Sequence, residues 1–99
     1  MLFRSPTQIL TALKKRMQSA NREFAKYPNA TAWNIQQRCA FMYQQAFYFF
    51  NSATRSNAQK WELMVALSKD ADMNWGDAIC NASLGMTLSK ALAEYAVNP

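Results

Sequence analysis

The chain has 99 residues, 51% of them hydrophobic, with a formal charge of +5, two Gly, three Pro, two Cys and no His. That length makes one domain, too apolar for disorder and too poor in turn residues for a many-stranded β fold. Without His the commonest general base and the Ser-His and Cys-His nucleophile pairs are absent, and two Gly leave no phosphate-cradling loop, so no enzyme is expected.

The first helix is expected over residues 6–26. Ser5 can cap it, Pro6 suits its first position and Gln8 completes an S-x-x-Q capping box. Ile9, Leu13, Met17, Ala20 and Phe24 make an apolar stripe. Lys15, Arg22 and Lys26 line the opposite side, with Lys14 beside them and Arg16 near the apolar edge. Tyr27-Pro28 ends the helix, because a residue before Pro disfavours helical geometry.

The second helix is expected over residues 32–54, with Thr31 as its cap. It carries the most aromatic stretch of the chain. Ile35, Cys39, Met42, Tyr43, Ala46, Phe47, Phe49, Phe50 and Ala53 share one broad face at i, i+3, i+4 spacing, which must be buried. Phe41 and Tyr48 fall instead in the middle of the polar face. Either a further helix covers that side or the pair is exposed between Arg38 and Arg55. Exposed aromatics with flanking Arg make contact anchors for a partner.

The third helix, residues 57–69, repeats the capping-box pattern with Ser56 and Gln59. Trp61, Leu63, Met64, Val65 and Leu67 occupy most of its circumference, which predicts a central element or an interface. A polar loop, Asp70 to Asn74, follows. Its Asp-x-Asp-x-Asn spacing falls short of a calcium loop, which needs a Gly and a closing Glu at positions held here by Trp75 and Asn81. The fourth helix is expected over 75–96, with Asp77 favouring its positive end. Gly85 could divide it, and one continuous helix is preferred. A row of small residues (Ala78, Ala82, Gly85, Ser89, Ala93 and Ala96) would let another helix approach closely.

The fold expected is an all-α compact bundle of four helices, or five if Gly85 is a break, with short connections that make consecutive helices antiparallel neighbours. The two Cys lie in different helices and, without His, make no ordinary zinc site; they are expected as reduced, largely buried thiols. No cofactor, metal or small-molecule substrate is expected. No apolar run approaches the ~20 residues of a membrane span, and the N-terminus has no continuous apolar core of a signal peptide. A cytoplasmic protein is expected.

Charge is divided along the chain. Residues 1–60 hold nine Lys or Arg against Glu23 alone, whereas residues 61–99 hold two against five acids. Lys14, Lys15, Arg22 and Lys26 could follow a phosphate backbone without reading bases. A helix-turn-helix is disfavoured, because its leading turn would be Trp75-Gly76-Asp77. The abundance of Phe, Tyr, Trp and Met exceeds what one small core readily hides. The function expected is therefore a non-catalytic protein–protein interaction module, a small regulator, inhibitor or accessory subunit, or a self-associating chain. Its contact residues would be Phe41, Tyr48, Arg38 and Arg55. The alternative is a nucleic-acid-binding accessory protein using the basic side of the first helix.

Overall fold

The computed structural model describes residues 5–69 and 75–95. Five helices are formed: α1 Pro6–Lys26, α2 Ala30–Asn51, α3 Asn57–Lys69, α4 Trp75–Leu84 and α5 Leu88–Glu94. There is no strand among the described residues. The architecture is an all-α bundle, and its radius of gyration of 13.4 Å suits a closed domain of this length.

Side-chain caps set the helix boundaries. Ser5 Oγ accepts the Gln8 N–H at 3.4 Å at the start of α1. At the start of α2 the cap is Asn29, whose Oδ1 accepts the Ala32 N–H at 2.9 Å, two residues ahead of the expected Thr31. Its Nδ2 also donates to the Tyr27 carbonyl at 3.1 Å, so one side chain ties the end of α1 to the start of α2. The α3 capping box closes in both directions: Gln59 N–H to Ser56 Oγ at 3.1 Å, and Ser56 N–H to Gln59 Oε1 at 2.9 Å.

α2 stops at Asn51 and does not run on to residue 54. Local polar side chains compete with the helix there. Asn51 Nδ2 donates to the Phe47 carbonyl at 2.8 Å, and Ser52 Oγ accepts the Thr54 N–H at 3.1 Å.

The expected fourth helix is two helices. Gly85 lies in the left-handed region at φ 72°, and its N–H bonds the Asn81 carbonyl at 3.0 Å. Gly closes a helix this way because it has no Cβ to oppose the conformation. Thr87 then caps α5, accepting the Lys90 N–H at 3.4 Å. The break also divides the row of small residues. Ala78 and Ala82 look toward α3, whereas Ser89 and Ala93 of α5 are exposed and Ala96 lies outside the described residues.

α2 is the centre of the packing. α1 lies along it, and α4 and α5 cover it elsewhere. α3 does not lie along α2 as a consecutive neighbour; it leans on α4 and on α1. The core gathers Ile9 and Leu13 of α1, Phe41, Met42, Ala46, Phe49 and Phe50 of α2, and Leu63, Met64 and Leu67 of α3. Trp75, Ile79 and Cys80 of α4 and Leu88 and Ala91 of α5 complete it. Gly76 permits the closest approach: a Cβ there would lie 2.5 Å from Leu88 Cδ2 and 3.3 Å from the Met42 sulfur.

The broad cover of α2 corrects one expectation. Phe41 is 3% exposed and belongs to the core. A helical wheel with one buried face puts it outside; a helix packed against α1, α4 and α5 buries a wider arc.

No helix among the described residues is long and apolar enough to cross a membrane.

Candidate protein-contact site

The end of α2 and the turn into α3 bring Tyr48 and Arg55 into one place. Tyr48 is 60% exposed. Arg55 is half-buried: its Nη2 donates to the Ser83 carbonyl at 3.0 Å, and its guanidinium carbon stands 5.2 Å from the centre of the Phe49 ring. The first contact pins the α2–α3 turn to the end of α4, and the second holds it against the end of α2. No carboxylate among the described residues pairs with Arg55.

Tyr48, Arg55 and Ser83 line a polar cleft of about 170 Å³, together with Gln45, Ser52 and Thr54. Ser52 and Thr54 satisfy each other at 2.8 Å between hydroxyls. The Ser83 hydroxyl is buried and has no partner among the described residues. Phe49 and Arg55 also line a second, larger groove of about 370 Å³, whose walls are α3 and α4.

The four expected contact residues do not form one face. Phe41 is core. Arg38 is exposed but lies ten residues before Tyr48 on the same helix, roughly 15 Å along its axis. Tyr48 and Arg55 alone come together. A residue the periodicity missed joins them: Phe47 is 43% exposed and meets Tyr48 edge-on, with ring centres 5.9 Å apart. Phe47 also meets Tyr43 at 6.2 Å. Ile35 and Trp61, likewise placed on buried faces by spacing, are exposed. Helical spacing gives the direction of a side chain but not whether a neighbouring helix extends far enough to cover it.

The chain matches no family model, no curated protein and no solved structure.

Lys14, Lys15, Arg22 and Lys26 are all exposed on α1. Lys26 lies over the Tyr27 ring, 5.9 Å from its centre. Arg16 is set apart from them: it is half-buried, with its guanidinium carbon 4.6 Å from the centre of the Trp75 ring.

Both cysteines are free. Burial pushes the Cys80 thiol up to about 11, and Asp77 nearby adds to the effect. Burial also raises Cys39, against the opposing pull of Arg16 and Arg38. Both are therefore thiols at neutral pH, poor as nucleophiles or metal ligands. No group of three or more His, Cys, Asp or Glu suited to a metal gathers among the described residues. The loop weighed for calcium, Asp70 to Asn74, lies outside them.

Proposed function

We propose that this chain is a non-catalytic protein–protein interaction module, a small regulator or accessory subunit, whose contact face is centred on Tyr48 and Arg55. The observation that carries the proposal is the exposed Tyr48 ring beside a half-buried Arg55 that has no carboxylate partner among the described residues. Tyr and Arg are the residues that dominate contact energies, because each offers a large apolar surface and a polar end. Phe47 extends the apolar part of the face.

The test is capture of partners from the native cell extract on the tagged chain, with and without nuclease, read by mass spectrometry. Wild type retains a defined protein after nuclease, and Tyr48→Ala loses it without loss of helicity. Retention of the same protein by Tyr48→Ala removes this contact face.

The second reading is nucleic-acid binding through Lys14, Lys15, Arg22 and Lys26. Their common exposure on α1 favours it. Binding of this kind falls steeply with salt, because it rests on counterion release from phosphates. Affinity for duplex DNA or RNA that is unchanged between low and physiological salt removes it.

A further inference from the structure

We propose that the groove between α3 and α4 takes a peptide segment of a partner protein that carries a carboxylate next to an apolar side chain, with Arg55 binding the carboxylate. The inference rests on the interaction function proposed above and names the chemistry of the partner.

The groove has a mixed lining, apolar on both helices and polar at Arg55, Gln59 and Glu62. Phe49, Leu63 and Ala66 line it with Ala78 and Ala82 of α4. Alanines on both walls leave space between the helices, and about 370 Å³ is enough for an apolar side chain and its backbone. Arg55 lines this groove and the polar cleft beside it.

Charge complementarity selects the ligand's head group. A guanidinium has five N–H donors, and among the described residues the hydrogen bond of Arg55 goes to a neutral carbonyl. Half-buried on the Phe49 ring, it gains from a carboxylate, whose two oxygens match its planar fork. No second Lys or Arg lines either cavity, which favours a single carboxylate over a phosphate dianion.

Glu62 and Gln59 select the rest of the ligand. Both line the groove. A peptide backbone offers N–H groups to the exposed Glu62 carboxylate, whereas a hydrocarbon tail offers it none. A peptide is therefore favoured over a free apolar acid.

The probes are N-acetyl-leucine, its neutral analogue N-acetyl-leucinamide, and hexanoate, each titrated into the full ¹⁵N-labelled chain and followed by amide shifts. N-acetyl-leucine is expected to saturate shifts at Ala66, Ala78 and Ser83. The amide analogue should bind about tenfold more weakly, the loss of one charge-assisted pair, and hexanoate should also bind more weakly. In Arg55→Gln the acid and the amide should become equal, while Arg55→Lys keeps part of the preference. Equal binding of acid and amide to the wild type overturns the proposal without need of any variant, and so do shifts centred elsewhere or no saturable shift. Hexanoate binding as well as N-acetyl-leucine overturns the peptide as occupant in favour of a small apolar acid. Partner capture that depends on Tyr48, without any acid preference, keeps the interaction module and removes this ligand. An acid preference with no protein partner removes the module and with it the peptide.

Discussion

The carboxylate of Asp77, in the first turn of α4, accepts the N–H of Leu88, the first residue of α5, at 2.9 Å. One acidic side chain thus serves two helix starts. It lies near the positive end of α4 and satisfies an amide that α5 cannot pair within itself. A helix of seven residues is too short to persist alone, so such external bonds decide whether α5 forms. Asp77→Ala should lower unfolding free energy by about 0.5–2 kcal/mol, the usual range for a lost cap. Asp77→Asn, which keeps an acceptor oxygen, should lose less. Urea unfolding of the two variants checks the order.

Gly76 and Leu88 should be energetically coupled. Gly76→Ala adds helix propensity worth about 1 kcal/mol but sets a methyl against the buried Leu88 side chain, and overpacking costs about 1–3 kcal/mol. The net change should be destabilising. In a Leu88→Ala background the same substitution should become neutral or favourable. A double-mutant cycle measures the coupling; a coupling near zero would mean that Leu88 moves aside freely.

Gly85 makes a cleaner backbone test. Its φ of 72° opposes any L side chain, yet nothing lies within 4 Å of an added Cβ. Gly85→Ala should therefore cost about 1–2 kcal/mol through backbone strain alone. Gly85→Asn should cost less, since Asn tolerates the left-handed region. If Gly85→Ala instead stabilises the chain, α4 and α5 run on as one helix.

Phe41 and Tyr48, seven residues apart on α2, should differ sharply. Phe41→Ala removes a ring from the core and should cost about 3–5 kcal/mol, a large share of the stability of a small domain. Tyr48→Ala, at an exposed position, should change stability by no more than about 0.5 kcal/mol. Chemical denaturation separates them. Comparable losses would place Tyr48 in the core as well and remove it as a contact residue.

Cys80 gives the chain a specific alkaline weakness. Its thiol is pushed up to about 11 in the folded state from an ordinary value of 9.0. Between those values the unfolded chain releases the proton and the folded chain retains it. The stabilising contribution is full below pH 9.0 and is lost as pH rises toward about 11. The informative quantity is the difference between wild type and Cys80→Ala. The variant should lose less stability than wild type across this window. Parallel curves would mean that Cys80 ionises in the fold as it does in water.

The capping residues Ser5, Ser56 and Gln59 were legible in the sequence because local side-chain chemistry fixes them. The apolar stripe of α1 was legible because its buried residues keep to one side of the helix and leave a simple period. α2 was less so. Its exposed Phe47 and buried Phe41 invert the wheel's order, since burial there depends on where α1, α4 and α5 end. Gly85 left two outcomes open because its modest cost inside a helix is outweighed only when the following turn is capped, here by Thr87. Tyr48 and Arg55 could be named from sequence. Their link to Ser83, 28 residues beyond Arg55, could not.

The most direct test of the contact face places the photo-crosslinking residue p-benzoylphenylalanine at position 48 or at position 15 in the full chain, within its native cells. The account predicts a discrete protein adduct from position 48 and none from position 15. A nucleic-acid adduct from position 15, with no protein adduct from position 48, would contradict the account and assign the activity to the basic side of α1.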